Sequence, residues 1–281
     1  NRGFEVELGY NNRFNDLTFS INGNLAFARN KVIEFDEPAK SVPWQRLTSK
    51  PQGSTLVYHG IGIFKDQAEI DKTPHVDGAI PGDIIIQDYN SDGVINNDDQ
   101  ILNTKIVNPE ITYGISFSLG YKNWALSGLV QGAGGSSRPV LVPLQGLSGN
   151  YFAYDAIGRW TPDNPDATKP RAFDRTDPYW RASYLTDYSY QNCAYGRMKN
   201  LVLSYTIPTR ILKTVLLKSA QIYISGENLF LIYNKNNILD PELGGIVTKS
   251  TDTPYPGSYD HVGVYNYPIM RSYTIGARIS L

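Results

Sequence analysis

This chain has one cysteine in 281 residues, so Cys193 can form no internal disulfide and reads as a buried spectator thiol. It also lacks a charge bias. Lys and Arg number 26 against 27 Asp and Glu, a net of −1, and no basic field argues for nucleic acid. No apolar run approaches the roughly 18 residues that a membrane helix needs. Mean hydropathy is −0.33, which does not exclude a membrane barrel, because alternation dilutes the apolar residues of such a wall. The three histidines, His59, His75 and His261, are scattered without metal-ligand spacing. No glycine-rich phosphate cradle or nucleophile motif occurs, and Asp163 and Asp166 in a Pro-rich stretch read as turn formers. No constellation supports an enzyme. No leader segment is visible, and Asn1 stands almost directly at a strand, which is expected of a section of a longer product.

Alternation is what the chain does have, and 34 aromatics (20 Tyr, 10 Phe, 4 Trp) go with it. Phe4, Val6, Leu8 and Tyr10 share one parity; Glu5, Glu7, Gly9 and Asn11 share the other. After a polar turn over 11–15, Leu17, Phe19, Ile21, Leu25 and Phe27 take one face, with Thr18, Ser20, Asn22 and Asn24 opposite. Successive strand side chains point to opposite faces, so this is a two-faced hairpin. The pattern predicts seven strands, near 3–11, 16–29, 111–121, 124–133, 195–207, 219–231 and 269–281. The second is long beside the usual five or six or so residues of a soluble strand. Leu129 breaks the alternation of the fourth.

The connections are unequal. Short or medium ones (11–15, 122–123, 208–218) alternate with long ones (30–110, 134–194, 232–268). An outer-membrane barrel joins its antiparallel strands in this way, with short periplasmic turns and long extracellular loops. Tyr10, Phe14, Tyr121, Trp124 and Tyr205 near the short ends fit an aromatic girdle. Glu5, Glu7, Glu227 and Arg278 fall on the faces read as inward, and no charge falls on the apolar ones. A one-residue slip of the first strand would move Glu5 and Glu7 into lipid, at a cost on the order of a few kcal/mol at mid-depth. Bacterial single-chain barrels have an even strand number. Seven strands therefore imply an upstream partner for the first, and the expected fold is an all-β, transmembrane antiparallel barrel section from the C-terminal part of a larger barrel.

Asp88-Tyr-Asn90-Ser-Asp92-Gly93-Val94-Ile-Asn96-Asn-Asp98-Asp99 matches the calcium-loop pattern D-x-N-x-D-G. Asp88, Asn90 and Asp92 would supply oxygens, Val94 its carbonyl, and Asn96 a direct or water-mediated contact. Asp99 stands at the twelfth position, where Glu is usual, and no helical pattern flanks the loop. The plainer reading of the same residues is an Asx-rich turn.

Several motifs in order resemble SusC-like TonB-dependent transporters: Pro81-Gly82-Asp83-Ile84 leading to Asp88–Asp99, Asn108-Pro109-Glu110-Ile111-Thr112-Tyr113-Gly114, and Arg159-Trp160-Thr161-Pro162-Asp163-Asn164-Pro165. Arg197-Met198-Lys199-Asn200-Leu201, Ser225-Gly226-Glu227-Asn228-Leu229-Phe230 with Asp240-Pro241-Glu242, and Tyr267-Pro268 running to Leu281 continue the series. The resemblance implies the last third or so of a plugged barrel, with a plug, a TonB box and a SusD-like lipoprotein lid that lie outside this sequence. Leu281 departs from the family's terminal aromatic residue. The function implied is TonB-driven import of an oligosaccharide or peptide through the outer membrane of a Gram-negative bacterium. Trp160, Tyr179, Trp180 and Tyr184 in the second long loop are candidates for stacking on cargo, beside the plainer role of holding that loop together. The competing reading is a soluble calcium-dependent carbohydrate-binding or adhesin β-domain.

Overall fold

A computed structural model describes residues 1–40, 42–139, 153–172, 186–212, 217–236, 240–242 and 269–280. Seven strands make one antiparallel sheet in chain order: β1 (Arg2–Phe14), β2 (Leu17–Arg29), β3 (Ile111–Tyr121), β4 (Trp124–Gly134), β5 (Tyr195–Thr206), β6 (Ser219–Asn234) and β7 (Ser272–Ser280).

The register lines the predicted faces up across the whole sheet. Asn12, Phe19, Leu119, Leu126, Leu203, Ile224 and Ile275 form one row of the apolar face. Asn11, Ser20, Ser118, Ser127, Val202, Ser225 and Thr274 form the neighbouring row of the polar face. Gly128 sits between Phe117 and Leu201, and a Cβ there would come within 2.5 Å of the Phe117 ring. A glycine lets these large neighbours close over the backbone. From Phe4 to Phe14 the strand advances about 34 Å, which at a tilt of about 40° gives roughly 26 Å of height, the thickness of a barrel's apolar band.

Where the first hairpin turns differs from expectation. Asn11, Asn12 and Arg13 pair with Ser20, Phe19 and Thr18, so β1 runs on to Phe14 and the turn is Asn15–Asp16. Asn15 takes a left-handed φ of 53°, which Asn tolerates, so two residues suffice to reverse the chain. Asn12 thereby lands on the apolar face, where its Nδ2 donates to Tyr10 Oη at 2.6 Å. Phe14, Leu17, Tyr121, Trp124, Tyr205, Ile222 and Ala277 share the last row before the turns. Four of the five aromatics expected near the short turns, Phe14, Tyr121, Trp124 and Tyr205, stand in that row, and Tyr10 lies two rows away. β4 and β6 run on to Gly134 and Asn234, and β7 starts at Ser272. Leu129 faces inward, opposite Ser116 and Asn200.

The buried apolar residues are mostly not in the sheet. Val57, Tyr58, Phe64, Ile70, Ile84, Ile86, Ile95 and Ile106 are all buried, and all lie between β2 and β3. The sequence pattern predicts no strand in that connection. It is a compact module in which Thr55–Val57 pairs with Ile101–Asn103, and Gly60–Ile63 with Ile84–Ile86. A helical turn, Gln67–Ile70, is capped by Asp66, whose side chain accepts from Glu69 N–H. The apolar face of the sheet, by contrast, is uncovered: Ile275 is 82% exposed, Leu8 72% and Ile115 40%. Nothing among the described residues closes over it.

Candidate functional site

The module stands at the long-loop end of the sheet, and the Asx-rich loop is its most polar part. Asp88 accepts from Asp92 N–H (3.2 Å) and Gly93 N–H (2.8 Å), and Asp92 accepts from Val94 N–H at 2.8 Å. Asn90 Oδ1 also takes the Asp92 N–H, while Asn90 Nδ2 donates to Asp92 Oδ2 at 2.8 Å. Asp99 is fully buried, accepting from Tyr89 and Asn90 N–H on one oxygen and from Asn96 N–H on the other. Asn96 Oδ1 accepts from Asp98 N–H, and together they form a capping box on the short 3₁₀ turn Asn97–Asp99.

These bonds bear on calcium. Asp88, Asn90 and Asp92 sit at the surface with the hard oxygens that calcium prefers, and carboxylate oxygens keep a second lone pair after accepting one bond. Asp99 and Asn96 are committed to holding backbone, and Val94 is largely exposed. Among the described residues no three His, Cys, Asp or Glu side chains converge as a metal cage. The first half of the motif therefore fits a cation, and the second half works as a cap.

A short 3₁₀ turn, Pro43–Gln45, braces this loop. Trp44 Nε1 donates to Asp98 O at 3.1 Å, and its ring lies 5.1 Å from that of Tyr89. Buried Gln45 donates to Asn97 O and Gln100 O. Upstream, Glu37 accepts from Leu47 N–H and from the N–H and Oγ1–H of Thr48. These donors, led by the Leu47 amide, hold the Glu37 carboxyl below its usual range. Burial, with a smaller contribution from the Asp99 charge, raises the Tyr58 hydroxyl.

The second long connection is fastened to the module by side chains to which sequence patterning gives no such role. Arg171 Nε donates to Asp83 Oδ1 at 2.7 Å, and Lys65 Nζ reaches Asp166 at 2.5 Å. His59 Nδ1 lies 2.5 Å from Asp187 Oδ2, whose other oxygen accepts from Gly60 N–H. Tyr190 shares a hydrogen bond with Thr55, and burial raises its hydroxyl. Trp160, a stacking candidate, is half-buried over Gly82. A Cβ on Gly82 would come within 2.5 Å of the indole, and Trp160 Nε1 donates to Lys65 O. Here Trp160 holds two connections together. Tyr179, Trp180 and Tyr184 lie outside the described residues. His75 lies edge-on against Phe64, and His261 is outside the described residues.

The polar face carries a separate charged cluster. Arg197 on β5 donates to Asp240 Oδ2 at 2.6 Å and lies 3.2 Å from Glu242, while Lys199 reaches Glu242 at 2.7 Å. On the other side of the sheet's long-loop end, Arg29 makes a two-point pair with Glu110, at 2.6 and 2.7 Å. Paired charges at this end are the signal that spacing alone does not give, because each partner is distant in sequence.

No family model matches the chain. TonB-dependent receptor P26 of Formosa agariphila is 27% identical over 289 residues, covering 91% of this chain and 28% of the receptor. TonB-dependent receptor P3 of the same organism is 25% identical over 295 residues, covering 98% of this chain and 28% of the receptor. The chain thus spans little more than a quarter of the curated relatives that it matches. Among solved structures, the RagAB peptide transporter superposes with a TM-score of 0.70 at 19% identity, over 99% of this chain and 29% of that one. The RagAB peptide importer in its "closed-closed" state gives 0.69 at 18% identity, with coverage of 99% and 29%. At such identity the superposition speaks for the fold, which is that of a large barrel wall.

Proposed function

We propose that this chain is a section of a TonB-dependent receptor barrel and that the complete protein imports an oligosaccharide or a peptide across the outer membrane of a Gram-negative bacterium. TonB supplies the energy through the part of the protein outside this chain, and a SusD-like lipoprotein covers the long-loop end. The observation that carries this reading is the division of labour between the two parts of the chain. The wall leaves a matched apolar face bare, as lipid contact requires, while a folded module with its own core stands at one end of it. A loop with a packed core is a fixed surface, suited to receiving cargo or a lid. Peptide is named as cargo in the titles of the RagAB structures; aromatic side chains of the second long connection, Tyr179, Trp180 and Tyr184, suit sugar rings equally.

Within the same proposal, calcium binds at Asp88, Asn90 and Asp92, with the Val94 carbonyl nearby. It would act as a structural ion that replaces repulsion between surface carboxylates with shared coordination. No catalytic role is proposed for any residue.

The test is uptake. A strain lacking the full-length protein should lose growth on one cargo class, peptide or glycan, and regain it from a plasmid copy. Undiminished growth on both classes would contradict the import reading. Full-length protein that partitions to the aqueous phase without detergent would favour a soluble calcium-dependent β-domain.

A further inference from the structure

The ladder of the first hairpin runs one row past its last aromatic pair. Phe4 and Phe27 are directly opposite, with ring centroids 5.7 Å apart, and the next pair on the same face is Arg2 opposite Arg29. Strand parity sets both arginines on the side of Val6, Leu25 and Ile115, which is the bare apolar side. The Arg29 guanidinium lies 5.7 Å from the centroid of the Phe27 ring, which fixes it on that side as well. From the Phe4–Phe27 row to the Phe14–Leu17 row, this face of the hairpin carries no charge.

Two cations directly opposite each other repel, and such a pair is destabilising without an anion beside it. Among the described residues Glu110 is the anion paired with either, and both its oxygens go to Arg29, at 2.6 and 2.7 Å. The Arg29 side chain is still 62% exposed. Arg2 is exposed and makes no ion pair among the described residues. A staple between β2 and Glu110 accounts for Arg29, but it leaves Arg2 and its like-charged neighbour unexplained. The order of groups along this face is the order of groups in a lipid. Phe4, Phe27, Val6 and Leu25 offer apolar contact where acyl chains run, and the guanidinium groups stand one row higher, toward the long-loop end. Long cationic side chains at such a boundary keep their heads in the polar layer. Arginine forks take phosphate oxygens two at a time.

We propose that Arg2 and Arg29 are a seat for the phosphate of an outer-leaflet lipid, whose chains lie down the Phe4–Phe27 side of the hairpin. The phosphate bridges the two cations, and Glu110 competes with it for Arg29. The seat rests on the reading of this face as covered by lipid, and not on import or on any cargo.

The experiment is native mass spectrometry of the full-length protein released from detergent, counting bound dioctanoyl phosphatidic acid. Dioctanoylglycerol, which has the chains without the phosphate, and inorganic phosphate alone are the comparison ligands. Arg2→Gln and Arg29→Gln should each weaken phosphatidic acid binding by roughly fivefold, and the double change should remove the saturable site. Glu110→Gln should tighten binding, an outcome that a purely structural pair would not give. Arg13→Gln, at the other end of β1 on the polar face, should leave it unchanged. Heat-modifiable gel migration establishes that each variant keeps its barrel. Arg2→Gln breaks no ion pair of the described fold, so it decides the matter if Arg29→Gln does not fold. Equal binding across the arginine variants, or dioctanoylglycerol bound as tightly as phosphatidic acid, would overturn the seat while the wall stands. Inorganic phosphate bound as tightly as the lipid would show an anion site without a lipid, and would overturn it too. Protein that stays in solution without detergent would end the wall reading itself, and the seat with it.

Discussion

Arg171 and Asp83 are 88 positions apart, yet Arg171 Nε donates to Asp83 Oδ1 at 2.7 Å where Asp83 is 1% exposed. Asp83 Oδ2 accepts from Ile80 N–H, so the carboxylate serves a turn of its own module as well as the neighbouring connection. Removing one partner of a buried pair strands the other charge, at a cost on the order of 3–5 kcal/mol. Arg171→Ala should therefore raise hydrogen exchange through Phe64, Gly82 and Asp83, with the strands of the wall unchanged. Unaltered exchange at those amides would show that the pair does not fasten the two connections.

Glu37 gives a pH dependence with a definite sign. Its carboxyl is held below the usual range by hydrogen bonds from Leu47 and Thr48. A group whose folded value is depressed contributes stability above its unfolded value and loses it as pH falls through the folded one. Protection of the Leu47 and Thr48 amides should hold at neutral pH and fade in acid below the usual carboxylate range. Glu37→Gln should flatten that profile, and a profile unchanged by the substitution would exclude Glu37 as the cause.

For calcium, the expected outcome is a rise in the unfolding temperature of the full-length protein as the ion is added, reversed by chelator. Anything that binds only the folded form stabilises it by mass action. Asp92→Ala should remove most of the rise, because Asp92 supplies surface oxygens and its side chain otherwise accepts only from Val94 N–H and Asn90 Nδ2 within the loop. An equal rise in the variant would place the ion elsewhere.

Neighbouring positions on β3 separate the two faces. Ile115 lies on the apolar face opposite Gly23 and Val130, and Ser116 on the polar face opposite Asn22 and Leu129. Ile115 lies near the middle of β3, so Ile115→Lys should cost about 2–4 kcal/mol in bilayer refolding, while Ser116→Lys costs little. Equal costs would contradict the assignment of faces.

The wall was legible in the sequence because its period is short. Phe4 to Tyr10 and Ile111 to Tyr121 alternate without a break, and one bare face leaves only one register that keeps Glu5 and Glu7 inside. The first turn was misplaced because Asn11, Asn12 and Arg13 carry turn chemistry but lie in the ladder. The loop module was missed for a different reason. Its strands, such as Thr55–Val57 and Ile84–Ile86, are three or four residues long, too short to show a period. They are held by partners far away in sequence, as Arg171 holds Asp83 and Gln45 holds Asn97. The Asp88–Asp92 half of the calcium pattern was visible as spacing; that Asp99 is buried as a cap depends on Trp44 and Gln45, which no local motif announces.

The central claim is that lipid covers the apolar face. Cysteines placed singly at Ile115 and Ser116 of the full-length protein, labelled with an environment-sensitive fluorophore and returned to vesicles containing spin-labelled lipid, test it directly. Cys193 is buried, which raises its thiol and slows its reaction, so it contributes little background. The label at 115 should be quenched strongly and the label at 116 weakly. Equal quenching at the two positions, or none at 115, would contradict the account.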